Sequence, residues 1–297
     1  MIADFDPETL FADAPELAAH REASTISGIE DYLDFYRLNF IGDYPAVKHY
    51  FGKFDVAEET IVAHVWALPG AELTAYICHG YYDHAGLFRH VIDYCLSRHI
   101  SVVIWDFPGH GLSTGFRASI DDFDNYLDVL DEVLVRTLAF PLPKRRIIMG
   151  QSMGGAITMS YLLLRNEAAF EKAVLFAPLV RPADHWWGRP AHAILKFFRK
   201  RIPRRFAESS GDGKFLRFLR KSDPLQAKYL SLPWVAAWKK WEPKFLKLSE
   251  SNLTPLIIQG DDDHTVAWQF NLKVISKIFP NASVKVLKGA KHHLVNE

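Results

Sequence analysis

From about residue 60 onward, short apolar runs alternate with segments of helical spacing. IVAHVWAL (61–68) and LTAYICHG (73–80) are short, β-branched and aromatic, and are predicted as strands. GLFRHVIDYCLSR (86–98) carries apolar positions at the spacing of a helix. ISVVIWDF (100–107) is unbroken and apolar, as in a strand covered on both faces. FDNYLDVLDEVLVRTLAF (123–140) is an amphipathic helix with acidic residues in its first half, where the helix dipole favours them. The alternation continues with the strand RRIIMG (145–150), the helix MGGAITMSYLLLRN (153–166) and the strand KAVLFAPLV (172–180). It resumes with the strand TPLIIQG (254–260), a helix around FNLKVISKIF (270–279) and the strand SVKVLKG (283–289). Such repetition predicts an α/β fold, a mostly parallel central sheet with helices on both faces. Active residues of such sheets gather at the carboxyl ends of strands.

The rhythm breaks between Arg181 and Leu253. Residues 1–60 are expected to be an N-terminal extension packed on the core, acidic and partly helical. Residues 61–180 and 254–297 are expected to form the core, and 181–253 an inserted helical cap. Charge supports the division. The 297 residues carry a formal net charge of zero, yet Arg181 to Lys247 holds 17 Lys/Arg against 5 Asp/Glu. The same segment holds five of the eight tryptophans. Trp234, Trp238 and Trp241 recur at i, i+4 and i+7, one face of a helix that Pro243 is expected to end. That stripe packs the cap onto the core, or part of it lines a pocket.

Composition narrows the class. Nearly half the residues are hydrophobic, as in globular chains, and no apolar run reaches the ~18 residues of a membrane-spanning helix. The acidic start lacks a secretory signal, and the two cysteines, Cys78 and Cys95, lie in apolar segments that suit reduced thiols. A cytoplasmic protein is expected. HAILKFFRKRIPRRF (192–206) mixes basic and aromatic residues, the composition of a helix lying peripherally on an anionic membrane. No recognition motif accompanies the basic segment and the body is acidic, so a nucleic-acid partner is not expected. There is no P-loop, GxGxxG, HExxH or CxxC, and no metal or cofactor is expected.

Chemistry concentrates in GQSMGG (150–155). An apolar strand enters, a helix leaves, and Ser152 stands at the corner. A side chain exposed on so sharp a turn strains its backbone by about 1–3 kcal/mol. Small neighbours two residues before and after it relieve the crowding, and Gly150 and Gly154 hold those places. Serine at its free pKa is a poor nucleophile, so it needs a base and an acid to orient the base. In this strand order both follow at the ends of later strands. TPLIIQG leads into Asp261, Asp262 and Asp263, and SVKVLKG leads into His292 and His293.

Four blocks together resemble the α/β-hydrolase superfamily, and within it the monoacylglycerol lipase and lysophospholipase-like branch. HGYYDHAGLFRHV (79–91) resembles that branch's HGxGEHxxRY block, and WDFPGHGLSTG (105–115) its DxRGHGxSxG block. GQSMGG resembles its elbow, and QGDDDHTV with GAKHHLVNE its acid and histidine blocks. The resemblance implies Ser152 as nucleophile, His292 as base after the Gly-Ala-x step, and Asp263 as acid, three residues beyond Gly260. It implies oxyanion donors in the backbone N–H groups of Tyr81 and Met153. Tyr82 replaces a glycine of the family block and Asp83 a glutamate. Tyr82 then narrows the pocket or brings its hydroxyl to the oxyanion. Tyr82, Trp186, Trp187 and Trp238 are the candidate pocket residues. His79, His110 and Asp106 are expected to fix loops. A serine hydrolase is implied, acting on a small-molecule or lipid ester with an apolar acyl chain, such as monoacylglycerol or lysophospholipid. Acyl transfer, thioester cleavage and C–C bond hydrolysis use the same triad, and a non-catalytic binding protein on this fold is the remaining alternative. The branch usually continues into a further helix after the histidine block. A sheet face without that cover would favour a homo-oligomer.

Overall fold

The computed structural model describes residues 5–183 and 200–297. An eight-stranded sheet organises them, built from β1 (Lys48–Val56), β2 (Glu59–Ala67), β3 (Leu73–Cys78), β4 (Ile100–Trp105), β5 (Arg146–Gln151), β6 (Lys172–Phe176), β9 (Leu256–Gly260) and β10 (Ser283–Leu287). Its order is β1-β2-β4-β3-β5-β6-β9-β10. Every pair from β4 to β10 is parallel, and β2 alone runs against its neighbours. The α/β architecture read from the sequence is therefore present. The sheet begins earlier than the apolar rhythm suggests, because β1 lies inside the segment read as an N-terminal extension and pairs with β2 over nine positions. Its sequence, KHYFGKFDV, mixes charges and a glycine into the strand and hides the pattern.

Alternation along the central strands sends side chains to two apolar layers. Tyr76, Cys78, Val103, Trp105, Ile148 and Leu175 face one layer, with α4 (Asp124–Arg136) and α5 (Met153–Leu164). Ile77, Val102, Ile104, Ile147 and Met149 face the other, with α2 (Ile29–Tyr36) and α3 (Arg89–Ser97). The first ten residues of α5 are all buried, so this helix is enclosed rather than amphipathic. α8 (Trp268–Ile278) lies between β9 and β10 in the chain and adds Ile275 and Ile278 to the first layer. All five residues of β10 are exposed, in contrast to the buried central strands. A short helix, α1 (Pro7–Asp13), is capped by Asp6.

The described residues between β6 and β9 add no strand to this sheet. Trp186 and Trp187 lie outside the described residues. The basic aromatic run is described only from residue 200, and there it is not helical: β7 (Arg201–Pro203) pairs antiparallel with β8 (Tyr229–Ser231). Two helices follow the ribbon's strands, α6 (Gly213–Lys221) and α7 (Leu232–Phe245). α7 runs two residues past Pro243, which has no N–H to donate to the preceding turn, so packing of the helix rather than its main-chain bonding carries it past the proline. Trp234, Trp238 and Trp241 are all buried on the first layer. The Trp238 indole donates to Val180 O at 2.9 Å and that of Trp241 to Ser160 Oγ at 2.8 Å. The stripe thus fastens the segment to the core. Among the described residues, no helix is long and apolar enough to cross a membrane.

A second fastening is polar. Asp223, just past α6, accepts from Tyr36 Oη of α2 at 2.7 Å and meets His84 Nε2 at 3.0 Å, with both members of the ion pair buried. Burial opposes charge on His84, but Asp223, then Asp106 and Asp83, outweigh it and raise its pKa. Burial likewise opposes the Asp223 carboxylate, and His84, Tyr36 and Gln226 outweigh it and lower its pKa. No described group pairs with His84 Nδ1, so among the described residues Asp223 is the one hydrogen-bond partner of its ring.

The sign of the pH dependence follows. His84 contributes its full stabilisation below about pH 6.5 and loses it as pH rises through its raised folded pKa. Asp223 contributes above about pH 3.9 and loses it as pH falls through its lowered folded pKa. Asp223→Ala is expected to cost about 3–5 kcal/mol in urea unfolding, because it strands a buried imidazolium. Wild type should lose stability above pH 6.5 with a slope that Asp223→Asn lacks. Parallel pH profiles for the two proteins would contradict the assignment.

Candidate active site

Three loops at the carboxyl ends of β5, β9 and β10 bring the chemistry together. Ser152 lies between β5 and α5 with φ 54° and ψ −111°, in the left-handed region that a side chain rarely enters. Its N–H donates to Phe176 O at 2.9 Å, and its carbonyl accepts from Ala156 N and Leu179 N. The elbow glycines fit tightly. A Cβ on Gly150 would lie 2.4 Å from Gly154 O, and one on Gly154 2.0 Å from Cys78 O. Larger residues at either position would push the corner apart.

His292 Nε2 stands 2.9 Å from Ser152 Oγ, and His292 Nδ1 stands 2.8 Å from Asp263 Oδ2. All three side chains are buried. Asp263 Oδ1 accepts from the amides of Thr265 and Val266, and Oδ2 also accepts from Gln259 Nε2. Burial raises the Asp263 pKa, but His292 and these donors outweigh it and hold the carboxyl below its ordinary value. The other two aspartates do different work. Asp261 accepts the Gly289 amide at 2.6 Å and closes the turn, while Asp262 meets His264 at the surface. His293 turns away from Ser152 and meets Asp83 Oδ1 at 3.0 Å.

Met153 is the first residue of α5, so its N–H has no partner inside the helix and belongs to the positive end of the helix dipole. Tyr81 sits across the site on the loop after β3. Its ring stacks on Trp234 at 4.0 Å between centroids, and its hydroxyl donates to Ala118 O. Tyr82 keeps a glycine-like backbone, φ 73°, despite its side chain. Arg204 packs on the Tyr82 ring at 3.8 Å, and Gln226 Nε2 donates to the Tyr82 carbonyl at 3.2 Å. The segment after β6 thus holds the strained tyrosine in place. Trp238, a candidate pocket residue, is buried between that segment and the core.

His79, His110 and Asp106 fix loops. His79 Nε2 accepts the Phe107 amide, His110 Nδ1 meets Pro108 O, and Asp106 accepts the amides of Ala85 and Leu112. Sequence reasoning missed Gln151, whose amide donates to His292 O at 2.9 Å and ties the histidine loop to the end of β5. It also missed the bond from Gln259 to Asp263, the packing of Arg204 on Tyr82 and the contact between Asp83 and His293. Gln151 lay inside the elbow motif and Gln259 opened the acid block, but contacts between residues far apart in the chain leave no local signal. Among the described residues, no group of three or more His, Cys, Asp or Glu side chains is placed to hold a metal.

Comparison with known proteins agrees with this architecture. The hydrolase family model described as Serine aminopeptidase, S33 matches residues 71–297. A monoglyceride lipase homolog of Monkeypox virus is 26% identical over 75% of this chain and 82% of its own length. Phospholipase YtpA of Bacillus subtilis is 28% identical over 34% of this chain, and the match spans only 39% of that protein. A soluble variant of monoglyceride lipase from Saccharomyces cerevisiae shares the fold, with a TM-score of 0.67 and 18% identity over 81% of this chain and 86% of its own. With three quarters of its length matched by one family model, the chain is an α/β-hydrolase and belongs to the Serine aminopeptidase, S33 family.

Proposed function

We propose that the protein is a serine hydrolase of carboxylic esters with an apolar acyl chain. The observation that carries this reading is the hydrogen-bonded chain Ser152–His292–Asp263. Ser152 Oγ attacks the ester carbonyl and His292 Nε2 takes its proton. Negative charge develops on the carbonyl oxygen, and the N–H groups of Tyr81 and Met153 stabilise it. The intermediate collapses, His292 returns the proton to the leaving alcohol, and an acyl-Ser152 ester remains. Water, activated by the same histidine, releases the acid. Asp263 holds the Nδ1–H tautomer and stabilises the imidazolium. Trp234, stacked on Tyr81, supplies apolar surface for an acyl chain, and the segment after β6 serves as the lid. Monoacylglycerol and lysophospholipid are the proposed substrates; one relative is named a monoglyceride lipase homolog and another a phospholipase. The basic lid favours peripheral contact with anionic lipid.

Ser152→Ala should abolish both ester turnover and labelling by a fluorophosphonate, and wild type should label. A wild type that neither labels nor cleaves any p-nitrophenyl ester from short to long chain, nor a monoacylglycerol or lysophospholipid, would sink the reading. Among the three aspartates the effects should be unequal. Asp263→Asn is expected to lower kcat about 10⁴-fold by favouring the wrong histidine tautomer. Asp261→Asn and Asp262→Asn should stay within about threefold of wild type, since neither side chain bonds His292. Loss of activity in Asp262→Asn instead would reassign the acid.

A further inference from the structure

The proposed oxyanion donor Tyr81 N–H points wherever the short loop from His79 to His84 aims it. That loop is held by a carboxylate inside it. Asp83 Oδ2 accepts the Gly80 amide at 3.2 Å, and Asp83 N donates back to Gly80 O at 3.1 Å. The carboxylate lies so close that a Cβ on Gly80 would meet Asp83 Oδ2 at 2.5 Å. The other oxygen, Oδ1, meets His293 Nε2 at 3.0 Å across 210 residues of sequence. Both side chains are buried.

The proton on His293 can be assigned. Asn296 Nδ2 donates to Leu87 O at 2.8 Å and also faces His293 Nδ1 at 3.3 Å, which makes Nδ1 the acceptor and leaves Nε2–H to donate to Asp83. The ring is clamped further. His293 N donates to Ser209 O at 2.7 Å, and Phe215 of α6 packs on the imidazole at 4.8 Å between centroids. Burial pushes the Asp83 carboxyl up, but His293 and then His79 and His84 outweigh it and hold it at about 2. A carboxylate beside a developing oxyanion would oppose that charge if left bare. Donors on both of its oxygens offset this.

His293 directly follows His292, whose carbonyl is bound by Gln151, the residue before Ser152. Two consecutive histidines therefore serve opposite sides of the site, one meeting the nucleophile and one the loop carrying Tyr81. We propose that Asp83 and His293 are a positioning pair for ester cleavage: the chain His293–Asp83–Gly80 aims the Tyr81 amide at the reacting carbonyl oxygen and fixes it relative to the base. This rests on the serine-hydrolase reading above. Neither side chain touches substrate. Their loss acts on the transition state, where the oxyanion forms, rather than on substrate binding.

The test compares His293→Leu, His293→Gln and Asp83→Asn with wild type on a soluble short-chain p-nitrophenyl ester. His293→Leu and Asp83→Asn should lower kcat about 10- to 100-fold, less than deleting an oxyanion donor outright. KM should stay within about threefold, and affinity for a trifluoromethyl ketone, which forms the oxyanion on Ser152, should fall in step with kcat. His293→Gln places an amide donor near the position of Nε2 and should recover most of the loss. If His293→Leu does not fold, His293→Asn, whose amide is too short to reach Asp83, replaces it against His293→Gln. Unchanged kcat in these variants overturns the proposal. So does a loss tracking Tm with no recovery in His293→Gln, which would mean a purely structural role. Ser152→Ala runs beside them: residual turnover there would undo the serine-hydrolase reading itself, whereas an inactive Ser152→Ala with unaffected His293 variants undoes only the pair.

Discussion

The backbone of Ser152 is the constraint on which the rest of the structure depends. Its left-handed φ turns a central strand into a helix within one residue and lifts the hydroxyl out of the sheet. Such a conformation costs about 1–3 kcal/mol and persists only when its surroundings over-determine it. Here they do. Phe176 and Leu179, from β6 and the loop beyond it, bond the main chain of Ser152 on both sides. α5 is buried nearly all round, so it cannot tilt to relax the corner. Gly150 and Gly154 let β3, β5 and α5 approach where any Cβ would collide with main chain.

The partners of Ser152 are held by loops rather than by their own strands. The histidine loop follows the most exposed strand of the sheet, yet its main chain is bonded to Gln151, Ser209 and Asp262. The loop carrying Tyr81 is gripped from three directions. Trp234 and Gln226 reach it from the segment after β6, His293 from the C-terminal side, and Asp223 bridges its His84 to Tyr36 near the N-terminus. These contacts make distant parts of the chain components of one site. They also explain how Tyr82 occupies a glycine conformation: Arg204 covers its ring and Gln226 binds its carbonyl.

How much of this was legible in the sequence depended on the range of the forces. Buried parallel strands such as ISVVIWDF announce themselves because both faces must be apolar. The corner at Ser152 is legible because its crowding is local and demands small neighbours at fixed offsets. His292 and Asp263 follow by counting from strand ends, through resemblance to a family block. The strand β1 was hidden, since pairing with β2 satisfies its backbone while its side chains alternate irregularly between charge and aromatic. The polar pairs were illegible for a different reason. His84–Asp223, Tyr36–Asp223 and Asp83–His293 join residues 139, 187 and 210 positions apart, and a hydrogen bond leaves no periodicity behind. In the basic run 192–206, ribbon pairing at Arg201–Pro203 overrode helical composition.

The exposed strand β10 bears on behaviour far from catalysis. Among the described residues it pairs with β9 on one side and with no strand on the other, so a row of main-chain donors and acceptors faces outward beside Val284, Val286 and Leu287. An open apolar edge of this kind is a template for strand-by-strand aggregation. Lys285 and Lys288 interrupt it, and stacking copies of the edge would bring like charges together. Such repulsion opposes edge-to-edge pairing of copies and is colloidal in kind rather than catalytic.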